Sequence, residues 1–343
     1  MDKIAVVSTS INARPIAYRK WADQTVEPML FIAGDVNTPP DLPLYVEGEL
    51  GGVYLTRDDQ EEWSSSDIVG WRSIQRRNFA ILEALRWGAE FIITVDDDNA
   101  PISNTFVEAM LVFQDDPITP NTRHACPHTN ETGYYNPGRQ CAPSTYARGL
   151  PYDIDRDASN RVGQCSCDLD KGIGVVAGLW VGDPDVDAME RLVNHPWVEA
   201  CYQNVICRDL YAPLNSQSTG WIRHLAPLMA VLPGVGRMDD IWGGYIAQKI
   251  LYWLGYGIHY GMPLVRQDRN DHDLTKDLEK EMIGYRYSGQ LCRDLDLIQL
   301  SGDSVIDLYE QIAERVTRLL YIPAKTEEFM LRWVQDVRKA TKA

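Results

Sequence analysis

Ile92-Ile93-Thr94-Val95-Asp96-Asp97-Asp98-Asn99 is an apolar, strand-like run that stops abruptly on three carboxylates. Carboxylates at the carboxyl end of a buried strand sit where α/β sheets bind their ligands. If the run stays extended, side chains alternate, so Asp96 and Asp98 share one side. Two hard oxygen ligands on one side suit Mg²⁺ or Mn²⁺, and such an ion suits a diphosphate. Acidic clusters also occur as solvated turns, so the run has to be weighed with its surroundings.

Upstream, Ile4–Thr9 and Met29–Ala33 read as buried strands, with a short helix over Pro15–Asp23 between them. Strand, helix, strand at this spacing predicts a parallel sheet with right-handed crossovers. Residues 36–43 read as a proline-rich loop and Val53–Leu55 as a third strand. Ile74–Trp87 reads as an amphipathic helix with Ile74, Asn78, Ile81, Leu82 and Leu85 on one face, stopped by Gly88. That helix feeds the acidic run, so the first hundred residues are expected to form a nucleotide-binding half that ends at a metal site.

Residues 116–172 are rich in Pro, Gly, Asn, Asp and Cys, and read as an irregular, Cys-rich insertion. Periodic pattern resumes at residues 174–180, with a helix over Asp187–Leu192 and another over residues 237–255 opened by Asp239-Asp240. Ser304–Leu320 and Thr326–Ala340 read as two further helices with Pro323 between them. The predicted organisation is an α/β mixed sheet flanked by helices over residues 1–300, followed by a C-terminal helical appendage over 301–343. No internal repeat or low-complexity tract is present.

The 343 residues are 45% hydrophobic and 24% charged, enough apolar content for a large core. A net charge of −16 argues against non-specific binding to nucleic acid or anionic membranes. Nucleic acid stays open only for an enzyme that modifies a base. Met1-Asp2-Lys3-Ile4 runs straight into a strand, with no signal peptide and no apolar run of membrane-spanning length. A soluble, cytosolic protein is therefore expected, and the triplet Asn130-Glu131-Thr132 carries no weight as a glycosylation site. Seven cysteines fit reduced thiols better than a disulfide framework. His124, Cys126, His128, Cys141, Cys165 and Cys167 could hold a structural Zn²⁺, though their spacing fits no standard module.

A second acidic pair stands in Gly236-Arg237-Met238-Asp239-Asp240-Ile241-Trp242. Acids at a helix start are favoured by the helix dipole. With Asp96–Asp98 already present, one of this pair could act as a base and the other position a basic partner, while Trp242 could stack on a sugar ring. In Tyr146-Ala147-Arg148-Gly149-Leu150-Pro151-Tyr152, an arginine precedes a Gly-x-Pro turn. Such an arginine commonly pairs with phosphate. To attack anything it would need a carboxylate close by and a very good leaving group.

Five stretches in order, FIITVDDDNAP, YARGLPYD, GLWVGDPDVDA, GRMDDIWGGYIAQKIL and LGYGIHYGMPLV, resemble the plant reversibly glycosylated polypeptides, the UDP-arabinopyranose mutase family. VIDLYEQIAERV and EEFMLRWVQDV resemble that family's tail. The likeness is weakest over residues 36–70 and 115–145. The resemblance implies a GT-A-like, Rossmann-like fold, a UDP-sugar and a divalent ion, commonly Mn²⁺, with Mg²⁺ as the other candidate. It puts Asp96, Asp97 and Asp98 on the metal and diphosphate motif, Arg148 on the reversibly glycosylated arginine, and Asp239 and Asp240 on the acidic pair. By the same analogy, Thr9, Arg14 and Asp35 are candidates for the uridine and Arg77 for the diphosphate, with Trp180 and Trp242 beside the ligand. Assembly into homo-oligomers is also implied.

Two departures stand out. Ala177 and Gln267 occupy positions where the family usually has histidine. His272 or Asp268 is then a candidate to complete the metal site. The function expected is interconversion of the pyranose and furanose forms of a nucleotide pentose, UDP-arabinose, through a glycosyl-arginine adduct. The alternative is a metal-dependent glycosyltransferase that moves a sugar from a UDP-sugar to a protein, glycan or modified-base acceptor. A non-catalytic scaffold that only self-glycosylates is a third reading.

Overall fold

A computed structural model describes residues 3–116, 122–165, 169–268 and 273–342. Strands β1 (Ile4–Thr9), β2 (Met29–Ala33), β3 (Val53–Leu55) and β4 (Phe91–Val95) lie in the order β3-β2-β1-β4, all parallel. This is the predicted strand–helix–strand half. β1 is buried on both faces, with Ala5 and Val7 in one core and Ile4 and Val6 in the other, so it reads as a continuous apolar run.

The chain continues through β5 (Asn99–Pro101), β6 (Thr122–Ala125), β7 (Cys141–Ala142), β8 (Ile173–Gly182), β9 (Ala200–Cys201), β10 (Asn204–Cys207), β11 (Ser218–Ile222) and β12 (Gly257–Gln267). The sheet extends past β4 in the order β11-β8-β12-β10-β6. β11 is antiparallel to both β4 and β8, while β8 and β12 are parallel. The result is a mixed α/β sheet, as expected, with a parallel half formed by β1–β4. β6, inside the stretch read as irregular, pairs with β10 at the far edge of the sheet. Its four residues are too few to show a period.

Two readings of helices change. The Ile74–Trp87 segment begins as a 3-10 turn over Ile74–Arg76, and the α-helix runs from Arg77 to Trp87. Ile74 is exposed, and the helix itself is buried on nearly every side. The C-terminal helix Ala324–Thr341 covers its outer face, so the amphipathic reading fails there for a tertiary reason. Trp333 of that helix is fully buried and donates from Nε1 to the Pro227 carbonyl at 2.8 Å. The 24-residue helix Leu274–Leu297, which sequence reading did not identify, packs beside Gly236–Met238. Gly88 does end its helix as expected, at φ 89°. No helix among the described residues is long and apolar enough to cross a membrane.

Candidate functional site

β4 ends at Val95, and the chain then turns: the Asn99 N–H donates to the Asp96 carbonyl at 3.2 Å. The acidic run is therefore a turn and not an extended strand end, and Asp96 and Asp97 meet different partners. Asp96 ion-pairs with Arg77, which also donates from Nη1 to the Ser216 carbonyl (2.9 Å) and Oγ (2.7 Å). Asp97 accepts from Ser10 Oγ and from Asn12 Nδ2, the latter at 2.9 Å. Burial pushes the Asp97 carboxyl up, against those two hydrogen bonds. All three carboxylates line one cavity of about 500 Å³.

Arg148 forms the opposite wall. Residues 147 and 186 pair antiparallel, which brings Arg148 beside Asp185; the Arg148 N–H donates to the Asp185 carbonyl at 3.0 Å. The guanidinium meets Asp185 through Nε–Oδ1 at 2.8 Å and Nη2–Oδ2 at 3.1 Å. Nη2 also reaches Asp240 at 3.1 Å and 3.3 Å, and Nη1 donates to the Arg237 carbonyl. Burial alone would favour the neutral guanidine, but Asp185 and Asp240 outweigh it and hold the side chain charged. Gly149 follows at φ 89°, which a side chain rarely adopts, and an added Cβ there would lie 2.3 Å from Ile241 Cγ2. The Gly149 carbonyl accepts from Tyr245 Oη at 2.9 Å. The Gly-x-Pro turn thus packs the arginine loop onto the helix Asp239–Trp253.

That helix carries Asp239 and Asp240 in its first turn. Burial, and then the neighbouring Asp240, raise the Asp239 carboxyl to about 7. Gln75 Nε2 donates to Asp239, and Ser216 donates to Asp240 from its backbone N–H at 3.0 Å and its Oγ at 3.2 Å. The expectation that this pair faces a basic partner is met by Arg148 across Asp240.

Other expected residues take different places. Thr9 lines the cavity and donates from Oγ1 to the Ala33 carbonyl at 2.7 Å. Asp35 accepts from the backbone N–H groups of Val36, Arg72 and Ser73, so it clamps the 70–73 loop. It also borders a cleft of about 350 Å³ that shares Thr9, Arg72 and Asp97 with the main cavity. Arg14 is exposed, pairs with Glu49 and packs over Tyr45, away from both spaces. Trp242 is fully buried with Nε1 donating to Ser288 at 3.0 Å, so it cannot stack on a sugar in this cavity. Its place on the inner face of the helix, behind the acids, decides that. Trp180 is buried behind Arg148, around a small void shared with Ala177 and Asp185. His272 lies outside the described residues.

The zinc reading finds no support among the described residues. No group of three or more His, Cys, Asp or Glu side chains there could hold a metal ion. Cys126, Cys141, Cys201, Cys207 and Cys292 are free thiols while Cys165 is disulfide-bonded, and Cys141 faces Cys201 across the β7–β9 pair with the sulfurs 3.3 Å apart. Cys167 lies outside the described residues.

Sequence reasoning missed Asp185, Gln75, Ser216 and Lys280, all on the cavity wall. Asp185 had a signal, an acid inside the conspicuous GDPDVDA stretch. The others had none. Gln267 was singled out only as a departure. It is buried in the same wall, and its Oε1 meets no hydrogen-bond partner among the described residues. Asp96, Asp98 and Gln267 share this cavity wall, and by donor chemistry their carboxylates and amide oxygen suit a divalent cation, since Mg²⁺-type sites commonly take one or two carboxylates plus substrate phosphates.

A sequence model of the family "Reversibly glycosylated polypeptide" matches residues 46–342. The chain belongs to that family. A protein of Solanum tuberosum named "Probable UDP-arabinopyranose mutase 2" is 24% identical over 268 residues, covering 72% of this chain and 66% of the relative. "UDP-arabinopyranose mutase 1" of Arabidopsis thaliana is 24% identical over 277 residues, 74% and 71%. "Probable UDP-arabinopyranose mutase 1" of Pisum sativum is 26% identical over 203 residues, 54% and 55%. The matched part of the chain thus spans 66% of the length of the potato relative and 55% of the pea relative. Among solved structures, the chain is similar to a mannosyltransferase of Pyrobaculum calidifontis in complex with GDP-Man and Mn²⁺ (TM-score 0.42, 9% identity, 99% of this chain and 73% of the other). It is also similar to the glucosyl-3-phosphoglycerate synthase of Mycobacterium tuberculosis (TM-score 0.39, 11% identity, 86% and 77%).

Proposed function

We propose that this protein is a UDP-sugar mutase that interconverts pyranose and furanose forms of a nucleotide pentose through an adduct on Arg148. The observation that carries this is the placement of a buried, carboxylate-gripped guanidinium in the wall of the cavity that also holds Asp96–Asp98. Family membership supports the same reading.

In the first displacement the bond from the anomeric carbon to the β-phosphate oxygen breaks, and UDP leaves with the electron pair. A guanidine nitrogen of Arg148 bonds to that carbon and gives its proton to the Asp239–Asp240 pair. The ring then opens at its carbon–oxygen bond and recloses through a different hydroxyl. UDP attacks the anomeric carbon, the carbon–nitrogen bond breaks, and the proton returns to Arg148. A divalent cation held by Asp96, Asp98 and Gln267 would neutralise charge on the departing diphosphate. Asp239 is suited to the proton role because burial beside Asp240 brings it to about 7, where it can take and give a proton. Asp185 and Asp240 stabilise the charged guanidinium, so the attacking form exists only while a proton is lent to the acidic pair.

The test is incubation with UDP-arabinopyranose and Mn²⁺, following nucleotide products by chromatography and intact protein by mass. A furanose nucleotide together with a pentose-sized gain on Arg148 is expected. UDP release without an adduct would overturn the reading and favour a transferase with a separate acceptor.

A further inference from the structure

Arg148 has five N–H donors on three nitrogens. Among the described residues, Nε–H goes to Asp185, the two Nη2 hydrogens go to Asp185 and Asp240, and one Nη1 hydrogen goes to the Arg237 carbonyl. One Nη1–H stands outside these bonds. We infer that Asp185 is a positioning residue: it locks the Nε–Nη2 edge of Arg148 and leaves Nη1 as the nitrogen presented to the anomeric carbon. This deepens the mutase reading and rests on it.

The three nitrogens differ in what substitution would cost. A sugar on Nε would remove the hydrogen shared with Asp185. A sugar on Nη2 would remove a hydrogen held by Asp185 or by Asp240. Both are charge-assisted bonds in a nearly dry wall, where Asp185 is 1% exposed. A sugar on Nη1 replaces the uncommitted hydrogen, and the remaining one still reaches the Arg237 carbonyl. The two-point bond to Asp185 therefore survives in the adduct.

Asp185 is itself rigidly held. Asn215 Nδ2 donates to its Oδ2 at 2.8 Å, and its own carbonyl takes the Arg148 N–H. Its carboxylate meets the guanidinium as a two-point fork, which fixes the plane and not merely the charge. Asp240 contacts only Nη2 and cannot fix that plane alone.

The test compares the wild-type protein with Asp185→Asn, Asp185→Glu and Asn215→Ala, using UDP-arabinopyranose and Mn²⁺. Binding of UDP is read by calorimetry, adduct formation by mass, turnover as kcat and KM, and folding by thermal melt. For Asp185→Asn, UDP binding and KM should hold while adduct rate and kcat fall together by about 100-fold, the scale expected when a reacting group loses its alignment. Asn215→Ala, which leaves the ion pair but loosens it, should show a smaller fall of the same kind, and Asp185→Glu a partial recovery relative to Asn. Fragmentation of the adduct peptide should place the sugar on a terminal nitrogen. Attachment at Nε, or an unchanged adduct rate in folded Asp185→Asn, would overturn the role of Asp185 and leave the mutase reading standing. A wild-type protein that forms no adduct on Arg148 would overturn both.

Discussion

Arg77 and Asp96 form an ion pair between the first turn of a buried helix and the carboxyl end of β4, with the Arg77 side chain 1% exposed and that of Asp96 18% exposed. Arg77 reaches Ser216 at the same time, so it ties three segments of the cavity wall together. A lysine has a single donor head and cannot span these partners. Arg77→Lys should fold with a loss of about 1–3 kcal/mol and bind UDP with Mn²⁺ more than about tenfold more weakly. Denaturant titration and calorimetry would check this, and unchanged UDP binding would detach Arg77 from the site.

Asp239 gives a pH dependence with a defined sign. Its carboxyl is raised from the usual range to about 7, so between roughly pH 4 and 7 the folded protein holds a proton that the unfolded chain releases. This group's contribution to stability therefore falls as pH rises through that window. Asp239→Asn removes the titration. The variant should gain melting temperature relative to wild type at pH 8 and gain less at pH 5.

His259 behaves in the opposite direction. It is fully buried and stacks on Phe113 at 4.4 Å, and burial lowers it to about 3. The unfolded chain protonates near 6.5, so the contribution is fully present above that pH and is lost as pH falls toward 3. At pH 4.5 the loss from this group alone is about 2–3 kcal/mol. His259→Leu should flatten this acid sensitivity, as read by chemical denaturation at pH 7 and pH 4.5. An unaltered pH profile would show that His259 is not the sensitive group.

Asp336 on the last helix accepts from the backbone N–H groups of Ser64 and Ser65 at 2.8 and 2.9 Å, and from Ser65 Oγ at 2.7 Å. Removing a buried charged acceptor leaves those donors unmatched. Asp336→Ala should lose about 3 kcal/mol. The measurement is a denaturant midpoint, and a change below about 1 kcal/mol would mean water replaces the carboxylate.

Gly149→Ala forces a side chain into a left-handed position against Ile241. A loss of about 1–3 kcal/mol is expected, with adduct formation reduced more than UDP binding because the strain falls next to Arg148.

Much of the architecture is local and was legible. β1, β2 and β4 are apolar runs of strand length, Gly88 stops its helix, and the last two helices, expected over Ser304–Leu320 and Thr326–Ala340, run over Val305–Val316 and Ala324–Thr341. The two acidic clusters stand out at a strand end and a helix start, and Arg148 stands out through the motif that resembles the family's. Identifying their partners required the folded chain. Arg148 meets Asp185 and Asp240 across 37 and 92 residues, and Gln75 meets Asp239 across 164. No local pattern encodes such contacts.

The amino-acid sequence by itself determined the parallel half-sheet, the acidic run at its end, and the family to which the chain belongs, since these follow from hydrophobic period and from short motifs in order. Tertiary structure alone decided which partners Asp96 and Asp97 take, that Asp35 clamps a loop, that Trp242 points into the core, and that Asp185 holds Arg148. Each of those outcomes depends on which buried donors and acceptors meet once distant segments pack. Satisfying buried polar groups is a property of the whole fold.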